Sequence, residues 1–427
     1  MVLRFRSLIF QSFGSVGPAL NFVAVLPVMA IFSGSALPLA TLIAFFISFV
    51  TFIPVLIFSG SNREGTGYAA YVGESMGLRS QLYTGFMYIL YSSIVMPSIL
   101  MFSSFFVVSY YFSTDVTVYE FLFSLLILIF LVSLIRGKRK FTQHFITSFG
   151  VVEIVCVIVL SILFIRAGNS VFLKITGNVI LTPNFWEAVV LGILMFSGSG
   201  SSIFLSRKWG GDLAKFRSTL IISYALIGAL MVLSSVAVVV FIGHYLDAYG
   251  SDPVIMLTMS GKYISSMAPP LITGLLIVSG FNLMLSYSNA LLNMHENFQS
   301  SYIHRIPKIR KGLFPYVLAL SWIVVLSIFT LTEGYYTGFI ILVEVVSLCY
   351  IIVHGITGFS LFGSYKRKVN ARMVGLLSVL LLGIAFVGSV ENSSSVFSVT
   401  LAIFLSILTS SGILAMYFRK YTPSIDA

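Results

Sequence analysis

Seven residues, Phe13–Gly14–Ser15–Val16–Gly17–Pro18–Ala19, carry the strongest chemical signal in the sequence. They lie inside a long apolar segment, roughly residues 8–32. A helix crossing lipid satisfies its own backbone groups, so a break in it frees N–H and C=O groups that need another partner. Pro18 removes a donor and clashes with the carbonyl four residues back. Gly14 and Gly17 make unwinding cheap at the same place. The spacing predicts a broken helix whose freed groups face a cavity at mid-membrane; a proline kink without a ligand is the competing explanation. A second interruption, Phe196–Ser197–Gly198–Ser199–Gly200–Ser201–Ser202, favours the first explanation. Two interrupted apolar segments in corresponding places of two halves mark a solute-binding site. Close helix packing through small residues is what the second stretch would otherwise mean.

Isolated polar residues in apolar segments are the next signal. Glu153 lies about eight residues, roughly 12 Å, into the fifth such segment. A carboxyl there is costly and such residues usually do a job; it could load and release a proton, or be a protonated group bonded to a neighbouring helix. Ser286, Ser288 and Asn289 fall in the eighth segment, with Ser286 and Asn289 three apart on one face. His354 is a single histidine in the tenth, a pattern more typical of packing than of chemistry. Cys156 and Cys349 sit alone in separate segments and suggest neither a disulfide nor a metal site.

The elements that must position these residues are membrane helices. The 427-residue chain is 58% hydrophobic and 9% charged, with a mean hydropathy of +1.02. Too few polar residues exist to cover a soluble surface. Twelve spans are expected, near residues 8–32, 38–59, 82–112, 118–135, 145–166, 186–206, 218–243, 269–298, 314–331, 337–361, 372–390 and 395–418. An outer-membrane barrel would show short alternating segments instead. The net charge of +11 does not point to nucleic acid, because the basic residues form short clusters between apolar runs. All but Arg166, Lys174 and Lys262 of the 25 Lys and Arg fall on one set of alternate loops and ends. The positive-inside rule then places both termini in the cytoplasm. The first segment has no small-residue cleavage site and reads as a helix, not a signal peptide. Asp115, Asp247, Asp252 and Glu391 lie on outward connections. Of these, 167–185 reads as irregular, and 244–268 as holding a short helix near Val254–Met259. The cytoplasmic stretch 60–81, with Gly65, Gly67, Gly73 and Gly77, reads as a tightly folded loop.

At this point the residues resemble the amino acid–polyamine–organocation superfamily, with its leucine-transporter fold. The glycine-broken first helix is followed by Phe32-Ser33-Gly34-Ser35-Ala36-Leu37-Pro38-Leu39-Ala40, similar to the family's entry into its second span. Gly65-Thr66-Gly67-Tyr68-Ala69-Ala70-Tyr71-Val72, with Gly77 and Gly85, is similar to its run into the third. The Gly/Ser break in the sixth span, followed by a basic loop, is the third likeness. Gly210-Gly211-Asp212 stands where the family has Glu-x-x-x-Asn-Pro, and Asn293 stands near a usual arginine, which leaves substrate and subfamily open.

The resemblance implies an all-α membrane protein of twelve helices. Two inverted five-helix repeats (1–166 and 186–361) would rock about a midplane site made by broken helices 1 and 6. Residues 372–427, with two extra helices and a short tail, would stay outside that core. Backbone at Ser15, Val16, Gly17 and Ala19 would meet a substrate carboxylate, favoured by freed N–H groups and the positive end of a half-helix. Carbonyls near Phe13, Phe196 and Gly198 would take the ammonium, with Ser199 and Gly200 in the same seat. Tyr88, Tyr91 and Phe196 are candidate pocket walls or gates. Glu344 would close an outer gate or bind the side chain of a cationic substrate, or simply bond between helices. Glu153 falls about where proton-coupled relatives carry a lysine, and Ser286 and Asn289 about where sodium-coupled relatives hold the ion.

The implied activity is a secondary carrier for an amino acid or related amine in a prokaryotic plasma membrane. It would be proton-coupled or an exchanger, with no cofactor. Sodium-coupled symport of a small organic solute and a channel are the alternatives, although no filter-like motif or charged ring is present. No constellation for an enzyme stands out; His295-Glu296-Asn297 is too sparse for one.

Overall fold

The computed structural model describes residues 5–60, 66–112, 116–136, 139–168, 182–209, 212–245, 252, 254–302, 313–364, 367–390 and 395–419. Gly65, Asp115, Asp247, Glu391, the Gly210-Gly211 pair, most of the 167–185 connection and the end of the C-terminal tail lie outside them. So do Arg4, Arg63, Lys138, Lys174, Arg305, Lys308, Arg310, Lys311, Lys366 and Lys420.

The first segment is built in three pieces: α1 (Phe5–Val16), α2 (Pro18–Val23) and α3 (Val25–Ser33). The break before α2 falls at Gly17–Pro18 as the sequence predicts. A second one, at Ala24 (φ −104°, ψ −53°), was not expected. Its cause is Pro27, which has no N–H to offer Val23 and whose ring crowds the Val23 carbonyl. Then follow α4 (Leu37–Ser59), α5 (Tyr68–Tyr111), α6 (Val116–Arg136), α7 (Arg139–Ala167) and α8 (Pro183–Met195). After α8 the chain tightens into a 3-10 segment, Ser197–Lys208. The remainder is α9 (Leu213–Ile242), α10 (Ile255–Tyr263), α11 (Ala268–Tyr302), α12 (Phe314–Leu331), α13 (Tyr335–Gly363), α14 (Val369–Val390) and α15 (Ser395–Arg419).

Eleven helices among the described residues are long and apolar enough to cross a membrane. The expected segment 8–32 is not separately one of them, because none of its three pieces is long enough. One expectation is corrected. The stretch 60–81 is not all loop: α5 starts at Tyr68, capped by Gly67 at φ 56°, and bends at Gly77 (φ 77°, ψ 179°). Ala69, Ala70, Tyr71 and Val72 are buried there, so packing decides the structure that the glycines left open. The sixth span does not resume as an α-helix after its break but continues as the 3-10 segment.

Part of the helix pairing maps onto itself when each of the first five segments is exchanged with the one five further on. The contacts α4–α9, α5–α11 and α6–α12 map onto themselves. The contacts α1–α7, α7–α9 and α7–α11 map onto α8–α13, α4–α13 and α5–α13. The pair α14 and α15 packs outside this set, on α4, α5, α8 and α13. Small residues permit the close approaches: a Cβ on Gly228 of α9 would overlap the Phe45 ring of α4. Gly228→Val should therefore cost about 1–3 kcal/mol through overpacking. In a thermal-unfolding assay on detergent-solubilised protein its midpoint should fall by several degrees. Gly274→Ala, where a Cβ meets nothing within 4 Å, should leave the midpoint unchanged.

Candidate functional site

Gly17 adopts left-handed backbone (φ 59°, ψ 65°), which a residue with a Cβ reaches only under strain. Its N–H closes α1 on the Phe13 carbonyl (3.1 Å) and its carbonyl opens α2 by accepting from the Asn21 N–H (2.9 Å). The donors left over at the start of α2 find partners on other helices. Ala19 N–H donates to Oε1 of Glu153 on α7 (3.0 Å), and Leu20 N–H to Oγ of Ser279 on α11 (2.9 Å). Glu153 also accepts from the Ser279 hydroxyl and, through Oε2, from Asn282 Nδ2 (3.3 Å). It is 1% exposed. A carboxylate there complements the positive end of α2.

The second break lies against the first. Phe196 N–H reaches only back to Ile193 (3.2 Å) and Ser199 N–H to Phe196 (3.0 Å), turns that end α8. A Cβ on Gly198 would overlap the Ser15 carbonyl, so only glycine lets the two backbones meet. Hydroxyls stitch the breaks together: Ser12 with Ser202 (3.0 Å) and Ser15 with Ser201. Asn21 bridges both, donating from Nδ2 to the Val16 carbonyl (2.7 Å) and to the Met195 carbonyl (3.5 Å).

A narrow cleft of about 60 Å³ opens beside this junction. Its polar end holds Ser15, Asn21, Ser197 and Tyr287, with Ser197 Oγ and the Tyr287 hydroxyl sharing a hydrogen bond (3.0 Å). Hydrocarbon from α1, α2, α3, α5, α8, α11 and α13 forms most of the rest. The C-terminal ends of α1 and α8, the negative ends of two helix dipoles, both reach it.

No protein-family model matches the chain, and no curated protein does. Among solved structures it is similar to MhsT, in the crystal structure of its complex with L-phenylalanine. The TM-score is 0.64 at 13% identity, over 91% of this chain and 99% of that one. The chain has the leucine-transporter fold. At that identity the likeness is one of architecture.

Of the residues singled out from sequence, Ser15 and Val16 line the cleft. Gly17 packs on Leu283, where a Cβ would come within 2.7 Å, and Ala19 turns its N–H to Glu153. The Phe13 ring lies near Phe10. Phe196 sits in an aromatic group with Phe45 and Tyr224. Ser199 is buried with no partner for its hydroxyl among the described residues, and Gly200 abuts the Tyr68 hydroxyl. Tyr88 stacks on Tyr68 and packs against Phe204, and Tyr91 meets Tyr88 edge to face; neither tyrosine lines the cleft. His354 Nδ1–H donates to the Thr51 carbonyl (3.3 Å), so Nε2 accepts from Tyr68 (2.9 Å). Glu344 accepts from Thr400 of α15 (2.7 Å). Asn289 donates to Gln11 Oε1 (3.3 Å), and the Gln11 side chain donates to the Ser286 carbonyl (2.9 Å). The Ser286 hydroxyl and Asn282 Oδ1 are buried without partners among the described residues and face Gly14, where a Cβ would come within 2.6 and 3.1 Å of them.

Sequence reasoning missed Gln11, Asn21, Ser279, Asn282 and Tyr287. A signal existed for most. Ser279, Asn282, Ser286 and Asn289 recur at helical spacing along one face of α11, and Gln11 and Asn21 are amides in an otherwise apolar segment. Gly198→Ala should force the two breaks apart. The protein should still insert but lose several degrees of thermal midpoint, whereas an unchanged midpoint would mean that the backbones do not meet there.

Proposed function

We propose that the chain is a secondary carrier that moves an amino acid or a related amine across a cell membrane by alternating access, both termini being cytoplasmic. The halves 1–166 and 186–361 rock against each other, and 372–427 rides outside. One observation carries this reading: two helix breaks meet at a single cleft. The carbonyl ends of α1 and α8 suit a substrate ammonium. The L-phenylalanine held by MhsT supports an amino acid as cargo.

Glu153 supplies the coupling. Its carboxylate occupies the anion position at the start of α2, where a substrate carboxylate would otherwise be drawn. A proton on Glu153 weakens that hold and leaves the helix end to the substrate. Proton and substrate then favour each other's binding, and by linkage the effect is equal in both directions. Glu153→Gln should abolish acceleration of uptake by an inward proton gradient in proteoliposomes while exchange of internal for external substrate continues. Unchanged dependence on the gradient would refute the role.

The unpartnered oxygens of Asn282 and Ser286 beside Gly14 favour a second reading, sodium coupling. Hard oxygen donors suit that ion. Uptake measured with choline in place of sodium separates the two: full activity decides for the proton, and loss of uptake for sodium.

A further inference from the structure

We infer that the transported molecule carries an uncharged, apolar side chain, and that basic amino acids and polyamines are excluded. This rests on the carrier reading above and specifies what its cleft accepts.

The cleft has two unlike ends. Groups able to hydrogen-bond gather at the helix breaks: Ser15, Asn21, Ser197 and Tyr287. Away from them the surface is aliphatic and aromatic, from Val95, Ile99, Phe339, Val343 and Val346. The remaining hydroxyl on that side, Ser98, spends its hydrogen on the Val95 carbonyl of its own helix (2.7 Å). Among the described residues, no Asp, Glu, Lys, Arg or His lines the cleft.

The acidic side chain best placed in sequence to read a cation is Glu344, and the helix turns it elsewhere. Val343 and Val346 lie three apart, on one face of α13 that lines the cleft. Glu344 follows Val343 by about 100° of helical rotation and bonds Thr400 on the peripheral α15. A second ammonium or a guanidinium seated among these valines would lose its water and gain no counter-charge. That loss outweighs the packing its methylenes could recover. An alkyl or aryl side chain loses nothing and fills the space.

The test uses the full-length chain in proteoliposomes, reading counterflow of labelled L-leucine against unlabelled competitors, and thermal stabilisation of the detergent-solubilised protein by the same compounds. L-Valine, L-leucine and L-phenylalanine should compete and stabilise. L-Lysine, L-arginine and putrescine should need at least about a hundredfold higher concentration, the order of penalty expected for an unpaired buried charge. Val343→Asp should shift preference toward L-lysine at least about tenfold, and Glu344→Gln should leave the order of preference unchanged. Competition by L-lysine or putrescine equal to that of L-leucine, or loss of discrimination in Glu344→Gln, overturns the side-chain assignment and leaves the carrier standing. Absence of both counterflow and stabilisation with every compound overturns the carrier reading itself, and this inference with it.

Discussion

A backbone donor in lipid must be met by protein, because no water is there to take its place. Everything about this molecule's centre follows from how that demand is met after Gly17 and Pro18 interrupt the first helix. The N–H groups of Ala19 and Leu20 are answered from α7 and α11. The Val16 carbonyl is answered by Asn21. Two helices distant in sequence, α7 and α11, are thus tied to one broken turn, and Glu153 bonds both the turn and α11.

The same constraint explains why glycine and serine dominate the second break. Bringing one interrupted backbone against another leaves no room for a Cβ at Gly198. Serine hydroxyls satisfy one another across the gap where a larger polar side chain would not fit. Beside this seam the aromatic residues gather into a separate layer of Tyr68, Tyr88, Tyr91 and Phe204. Their burial is packing against one another, and the cleft wall opposite the polar end is built from valine, isoleucine and phenylalanine instead.

The fold was largely legible in sequence, since apolar run length and the placement of basic residues depend on the bilayer and not on tertiary detail. The break at Gly17–Pro18 was legible for the same reason: proline and glycine act locally. What escaped reading was decided by contacts between distant segments. The helix from Tyr68 exists because Ala69 to Val72 are buried, and no local rule announces that. Ala19 was expected to offer its N–H to a ligand, but whether a freed donor faces solute or a neighbouring carboxylate depends on where α7 lies. Tyr88 and Tyr91 were plausible walls by residue type; which face of a long helix meets the cleft is a matter of rotation. Pro27 is the instructive exception, a local signal overlooked because the stronger one nearby accounted for the segment.

In the proposed carrier the solute sits at the junction of the two breaks. A cryo-EM map of the full-length chain in a lipid nanodisc with saturating L-leucine tests it most directly. Density for the ligand should lie between Ser15–Val16 and Met195–Ser197, with its ammonium within hydrogen-bond reach of those carbonyls and its side chain toward Val343 and Val346. Uninterrupted helices through residues 13–19 and 196–202, or a ligand bound away from their junction, would contradict it.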